Sequence, residues 1–568
     1  MKQTYRAIVV VALSIIVFLS AVQFDIKAEG DKRKTKPVPA IRVAPRAPVI
    51  NENERVAELV ARRQNVAQKI GTNSIMILFS AEPRVYTNDV DYEYRQENNF
   101  YYLTNFKQQS AMLVLMPGNS QTPEILFIRR RNPANETWNG YMYSPQDAKR
   151  ITGIKEIWTI NEFEPFVKAL KANQTYQPKP ENILLTERQN NHASPTLNAT
   201  QEEKTNLYLL KPMSQNRREY GQEIEFAAKW KAESTNVNIF DAWSIFSEMR
   251  LRKSAIELKY LQHAIDITIE AFGRSMAVAG QAKWEYEVEA EVEYTFKRRN
   301  ADFWGYPSIV GCGPNATTLH YQESQGRIKS GDLLLMDVGA EYNHYTADVT
   351  RTFPVNGKFT PEQAAIYQIV YDAQEAVARA TKPGSSLSEV HKASTEVIKE
   401  GLLKLGLITD KNSNQHFLWF MHGTSHWLGM NVHDVGGSAK FIPGAVFTNE
   451  PGIYIRGDAL DYLPKTPENE KFIAAIRPAF EKYKNIGVRI EDDMLVTETG
   501  CEWMTKNLPR SIPEIESMIA RASREYRNTA SRKENQQEIN QVFYRDIAAE
   551  FFKPTSNTSS KTFFVGQH

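Results

Sequence analysis

One segment constrains the fold of this chain more than any other: Gly331-Asp-Leu-Leu-Leu-Met-Asp-Val-Gly-Ala-Glu-Tyr-Asn-His-Tyr-Thr-Ala-Asp-Val-Thr-Arg-Thr-Phe353. It reads as two strands joined by a turn near Glu341 to His344. Side chains of a strand alternate between faces, so Leu333, Leu335 and Asp337 share one face, as do Thr346, Asp348 and Thr350 on the return strand. A turn about the Tyr342–Asn343 bond places Asp337 directly opposite Asp348, with Cβ atoms about 4.5–5.5 Å apart. The Leu-Leu-Leu-Met run before Asp337 predicts burial rather than strand ends facing water. Two buried carboxylates that close repel each other unless a cation, a shared proton or an arginine intervenes, and a metal ion is the simplest of these.

Downstream residues extend the pattern. Three of the ten histidines, His422, His426 and His433, fall within twelve positions among Gly, Trp and Leu. Glu450 follows the apolar run Ala445-Val-Phe447, and Gly487-Val-Arg-Ile-Glu-Asp-Asp493 places Glu491 in parity with Arg489. Four carboxylates and one imidazole make an oxygen-rich donor set, suited to two hard or borderline ions such as Mn, Co or Fe rather than to a thiolate zinc site. Two ions about 3.5–4 Å apart can share a hydroxide, polarise a carbonyl and hold a leaving group. Those ligands by themselves leave peptides and phosphate esters open as substrates.

At 568 residues the chain is too long for one ordinary core, so two domains or a few are expected. A net charge of +2 gives no electrostatic reason to expect nucleic acid as a partner, and Arg129-Arg130-Arg131 reads as a solvated face. The two cysteines, Cys312 and Cys501, make neither a disulfide framework nor a cysteine zinc site. Lys2 and Arg6 precede an apolar stretch from Ala7 to Val22 broken only by Ser14 and Ser20, which reads as a signal peptide or signal anchor over residues 1–28. The protein is therefore expected to be exported, to a periplasm or the exterior, with a membrane tether if the segment is retained; the alternative is cytoplasmic. A Lys/Pro-rich exposed linker is expected over 29–51. An α/β domain over 52–235 follows, with strands at Ser74–Ser80, Ala111–Met116, Glu124–Ile128 and Asn182–Leu185. A second unit over 236–515 opens on a helical pattern from Ser254 to Ala279. The polar stretch 516–568 reads as a disordered or loosely docked tail.

Several segments recur together in one known family. They are Ser308–Ala316 with His320-Tyr321, Asp348–Pro354, Met421-His-Gly423 through Ser425-His-Trp427 to Val432-His-Asp434, Glu450-Pro-Gly452 and Arg489-Ile-Glu-Asp492; Phe79–Pro83 and Tyr94–Thr104 add to them. The chain resembles the Xaa-Pro aminopeptidases (aminopeptidase P) of the pita-bread metallopeptidase superfamily over roughly residues 52–515. That resemblance implies an α/β (α+β) protein, a non-catalytic N-terminal domain before a pita-bread catalytic domain. It implies Asp337, Asp348, His426, Glu450 and Glu491 as ligands of two divalent ions, typically manganese, with Co, Fe or Zn as alternatives. Glu450 would also shuttle a proton, His320 and His433 would bind substrate and stabilise the oxyanion, and His422 and Arg489 would support them. The substrates implied are peptides with proline second, and a homo-oligomer assembled through the N-terminal domain.

Three departures stand out. Met142 occupies a place where the family often has arginine, and Cys312 one where serine is common; Cys312 reads as a packing residue. A long gap between Glu450 and Glu491 predicts a surface excursion over Asp458–Tyr483 near the active-site mouth. A prolidase, which cleaves only dipeptides, is the rival within the fold, and Ser425-His-Trp427 favours the aminopeptidase. A metal-free peptide-binding module is the rival outside it, and all five filled ligand positions argue against that.

Overall fold

Of the four apolar runs read as strands, three form the middle and one an edge of a seven-stranded sheet in the computed structural model, which describes residues 39–172, 174–187, 204–211 and 218–528. The signal-like segment and the last forty residues, 529–568, lie outside the described residues. The N-terminal strands are β1 (Ser74–Phe79), a small exposed hairpin of β2 (Val85–Thr87) and β3 (Val90–Asp91), β4 (Met112–Leu115), β5 (Glu124–Ile128), β6 (Ile157–Thr159), β7 (Ile183–Leu185), β8 (Thr205–Leu209) and β9 (Val237–Asp241). The sheet order is β7-β6-β5-β4-β1-β8-β9, mixed in direction. Period-two alternation divides β1 between two cores. Ile75, Ile77 and Phe79 join a local core with Phe127, Trp158 and Phe166. Met76 and Leu78 face the other way, into a core continuous with the C-terminal half.

The boundary expected at 235/236 is corrected by β9, which pairs in parallel with β8 and closes the edge of this sheet. Its alternating half-exposed residues carry too little apolar signal to be read as a strand from the sequence. The helix expected from Ser254 runs over Ala255–Val278, closed at its start by a reciprocal Ser254–Glu257 capping box. The expected exposed linker is partly docked: the Ala44 N–H donates to Glu270 Oε2 on this helix at 2.8 Å. The start of the expected loose tail is also docked. Residues 512–528 are helical, with Ile515, Met518, Ile519 and Ala522 buried at helical spacing among the charges.

The C-terminal half is a set of small antiparallel sheets. Its strands are β10 (Phe303–Trp304), β11 (Ile309–Cys312), β12 (Leu333–Val338), β13 (Ala340–Tyr342), β14 (Tyr345–Thr346), β15 (Val349–Pro354), β16 (Val446–Asn449), β17 (Gly452–Ile455), β18 (Ile486–Arg489), β19 (Asp492–Val496) and β20 (Cys501–Trp503). The expected excursion is the loop of the β17–β18 hairpin, containing helix Pro467–Tyr483. It leaves after Ile455 and returns before Ile486, at the end of the hairpin away from Glu450 and Glu491. Burial of Ile476, Phe480 and Tyr483 docks one face of this helix, with Phe480 stacked on Trp419. It is therefore a packed element rather than a mouth loop. Among the described residues no helix is long and apolar enough to cross a membrane.

The aspartate hairpin turns one residue later than the sequence predicts. Its loop residues are Asn343 (φ 49°) and His344 (φ 69°), which places Tyr342 opposite Tyr345 and Asp337 opposite Thr350. Asn and His tolerate left-handed backbone better than Tyr does, and two positive φ angles suit the right-handed twist of a hairpin. Asp348 thus lies diagonal to Asp337, on the same face but two positions from the register partner. The strands break at Gly339, where a Cβ would sit 1.8 Å from the Ala347 carbonyl oxygen. A Gly339→Ala substitution is expected to destabilise the protein by about 1–3 kcal/mol through forced separation of the two aspartate strands. Urea unfolding midpoints measure this, and an unchanged midpoint would contradict the close approach.

Candidate metal centre

Ligand-capable atoms of Asp348, His426 and Glu491 lie within 4.8 Å of one another. His426 Nε2 is 3.3 Å from Asp348 Oδ2 and 3.3 Å from Glu450 Oε1. Asp337 borders this group through Tyr306, whose hydroxyl lies 2.6 Å from Asp337 Oδ1 and 2.6 Å from Asp348 Oδ1. The diagonal register leaves room for that phenol between the carboxylates. Asp337 Oδ2 also pairs with Arg489 Nη2 at 2.5 Å. Thr350 Oγ1 donates to Glu491 Oε2 at 2.7 Å and accepts from Arg489 Nε at 3.2 Å, so the predicted shared face of Arg489 and Glu491 converges on one hydroxyl.

Asp337 and Glu491 are buried and Glu450 and His426 half-buried, and their protonation follows from that. Burial pushes Asp337 above the usual carboxylate range; Arg489 opposes this and Asp348 adds to it. Glu491 is raised further, by burial and then by Asp348, Glu450 and Asp337. Glu450 is pushed up to about 7, by burial first, against the pull of His426. Burial alone would lower His426, but its hydrogen bond to Asp348 and the charge of Glu450 raise it to about 9.

The donor set fits a divalent cation. His426 Nδ1 lies 3.1 Å from the Trp427 carbonyl, which makes Nδ1 the donor. A neutral ring then points the Nε2 lone pair at two carboxylates, an arrangement that needs either an extra proton or a cation between them.

The remaining predicted residues surround this group. His422 Nδ1 meets the Gly423 carbonyl at 2.7 Å, and its Nε2 meets the Tyr454 hydroxyl at 2.9 Å. Tyr454 in turn accepts from Arg489 Nη1 at 2.8 Å, so a polar chain runs from His422 to the Asp337 partner. Burial, then Arg489, pushes His422 down to about 3, and its Nδ1 lies 3.6 Å from Glu450. The ring of His433 stands 4.4 Å from that of His426, nearly perpendicular to it. His320 and His433 are solvent-exposed, and the charge of His320 is felt at both His422 and His433. Cys312 is buried and pushed up to about 12 by that burial, which leaves it no nucleophilic character. Met142 packs beside Asn135, and Arg131 is the residue that pairs with Glu136 there.

Sequence reasoning missed Tyr306 and Tyr454. Tyr454 shares strand parity with Gly452, two residues beyond Glu450, so alternation could have found it. Tyr306 sits in the coil before β11 and reaches the site only because Ile309 pairs with Asp337, which no local pattern shows.

The N-terminal half holds two pieces of this centre. Arg95 pairs with Glu341 on the hairpin at 2.9 Å and donates to the Met430 carbonyl at 2.9 Å. Asn98 Nδ2 donates to Asn431 Oδ1 at 2.7 Å, and His344 at the hairpin tip stacks on Tyr101 at 3.8 Å. Asp434, next to His433, is paired in the interior with Arg250 and Lys253.

Residues 259–498 match the family model of metallopeptidase family M24, and residues 59–177 match that of the aminopeptidase P N-terminal domain. A Xaa-Pro aminopeptidase of Haemophilus influenzae is 33% identical over 475 residues, 81% of this chain and 97% of the relative. That of Escherichia coli is 33% identical over 479 residues, 82% and 98% of the two chains. The structure of Pseudomonas aeruginosa aminopeptidase PepP aligns with a TM-score of 0.68 at 32% identity, covering 83% of this chain and 99% of that one. An E. coli aminopeptidase P solved with the inhibitor Pro-Leu gives a TM-score of 0.68 at 32% identity over 84% of this chain and all of its own.

The raised carboxyl of Glu450 has a thermodynamic consequence. With its folded pKa at about 7 and an ordinary value of 4.5, it contributes stability that is full below 4.5 and lost as pH rises through 7. His426, raised from 6.5 to about 9, acts in the same direction at higher pH. In chelator-treated protein these two groups therefore contribute a loss of stability between pH 4.5 and 9, against which His422, pushed down to about 3, contributes a gain as pH rises to 6.5. Glu450→Gln should remove on the order of 1–3 kcal/mol of that loss between pH 4.5 and 7. Thermal unfolding across pH checks this; an equal slope in the variant would contradict it.

Proposed function

The chain belongs to the Xaa-Pro aminopeptidase family, an aminopeptidase P N-terminal domain followed by an M24 metallopeptidase domain, and on that premise we propose that it hydrolyses the bond between an N-terminal residue and a following proline. Two divalent ions would be held by Asp337, Asp348, His426, Glu450 and Glu491, with manganese as the occupant and Co, Fe or Zn as substitutes. The observation that carries this reading is His426 Nε2, aimed between Asp348 and Glu450 with its other nitrogen committed to the Trp427 carbonyl. When bound, the ions lower the pKa of water and polarise the scissile carbonyl.

The residues of the chain supply the rest. Glu450, raised to about 7, is suited to take a proton from water and pass it to the departing prolyl nitrogen. His433 and His320, on the solvent side, donate hydrogen bonds to the peptide carbonyls, His433 to the oxygen that becomes negative. His422 is held neutral, and with Tyr454 and Arg489 it fixes the orientation of Glu450 and Asp337. Proline's fixed ring and missing N–H give such a pocket a distinct group to recognise.

The segment Lys2 to Val22 supports export to a periplasm or the exterior, with a tether if it is retained and cytoplasmic retention as the alternative. Trp138 and Tyr141, 87% and 93% exposed on the N-terminal half, suit an interface between copies in a homo-oligomer.

Chelated protein is expected to be inactive on Xaa-Pro-Xaa peptides and to recover on addition of manganese, whereas Asp348→Ala should not recover. Activity confined to Xaa-Pro dipeptides would make it a prolidase. His433→Ala should retain its metal while kcat falls about 10²–10³-fold. Metal analysis beside steady-state kinetics separates those effects, and parent-like kcat would remove His433 from the proposed role.

A further inference from the structure

Gln374 lies on helix Pro361–Ala380, outside the short motifs from which the site was read, and its residue is wholly buried. Its Nε2 is 3.0 Å from the Asn449 carbonyl, 3.2 Å from the Ile490 carbonyl and 2.7 Å from Asp492 Oδ2. Asn449 and Ile490 are the residues immediately before Glu450 and Glu491. One amide therefore ties together the backbones that deliver both glutamates, which arrive from different strands.

The amide orientation is determined by its other end. Gln374 Oε1 accepts from Arg510 Nη1 at 2.9 Å, so the donor end must face the three acceptors. The tie is reciprocal, because Asn449 Nδ2 donates to the Gln374 backbone carbonyl at 2.9 Å. Asp492 also pairs with Arg351 Nη2 at 2.6 Å, and Arg351 Nη1 holds the Glu491 carbonyl at 2.7 Å. Gln374 thus adds a side-chain tie from this buried frame to the Glu450 strand, beside the backbone pairing of Asn449 with Asp492. Its amide bonds two backbone carbonyls, Asp492 and Arg510, so it positions rather than binds. Substituting glutamate would set a carboxylate against Asp492 and two carbonyls, and an apolar residue would leave those acceptors without a donor in the interior.

We propose that Gln374 is a positioning residue that sets the spacing of Glu450 and Glu491, and through it the affinity of the chain for its pair of divalent ions. This rests on the reading that both glutamates are ligands.

The test is calorimetric titration of Mn²⁺ into chelated full-length protein, with thermal unfolding measured alongside. Glu491→Ala should bind fewer ions than the parent; equal binding would overturn the ligand assignment and the inference with it. Given that loss, Gln374→Met should raise the dissociation constant about 10–100-fold. Ile366→Ala, a buried apolar truncation about two turns earlier on the same helix, controls for loss of stability and should bind within a few-fold of the parent. Gln374→Glu provides the same test if the methionine variant does not fold. Parent-like affinity in the Gln374 variant that folds, or a loss no larger than that of Ile366→Ala at matched Tm, would overturn the role of Gln374 while leaving the ligands in place.

Discussion

Mutual repulsion among Asp337, Asp348, Glu450 and Glu491 is the constraint around which the catalytic half is organised. Burial raises the cost of ionising Asp337, Glu450 and Glu491, and the neighbouring acids raise it further. Within the protein the opposing charge comes from His426 and Arg489, with the Tyr306 hydroxyl bridging two of the acids. Four acids against two cations is a deficit that divalent ions can fill. The same deficit explains why the site is held from outside so firmly, since groups that repel must be kept in place by something else.

That support comes in layers that differ in kind. Nearest are neutral donors: Tyr306, Thr350, and Thr448, whose hydroxyl reaches Glu450 at 3.1 Å. Behind them the Arg351–Asp492 pair and Gln374 hold the backbone carbonyls beside the glutamates. These buried polar groups are costly unless each finds its partners, and here every guanidinium nitrogen of Arg351 has one. They hold in place the backbone on either side of the proposed ligands.

The N-terminal half is a further part of this support. Arg95, Asn98 and Tyr101 grip the hairpin tip and the loop leading to His433, while Arg250 and Lys253 anchor Asp434 beside it. A domain that supplies none of the five proposed ligands thereby constrains the placement of a proposed substrate-binding histidine. Continuity of the apolar core from Met76 and Leu78 into the C-terminal half explains how it can do so, because the two halves share packing as well as a polar seam.

Short-range pattern accounts for what the sequence by itself determined. Apolar runs bounded by turn residues located β1, β4, β5 and β7, helical spacing marked the helix from Ser254, and strand parity put Asp337 and Asp348 on one face. Each of these is a local property, so one segment suffices to show it. Pairings over long sequence separations decided the rest. The hairpin register turned on whether Tyr342 or His344 would accept left-handed backbone, with Tyr101 from the other half supplying the stacking surface for His344. Only the tertiary structure brought Tyr306 between the aspartates, placed Gln374 behind both glutamates and assigned β9 to the first sheet. Period and chirality act over a few residues and can be read along the chain. A hydrogen bond between residues separated by more than seventy positions depends on how every intervening element packs.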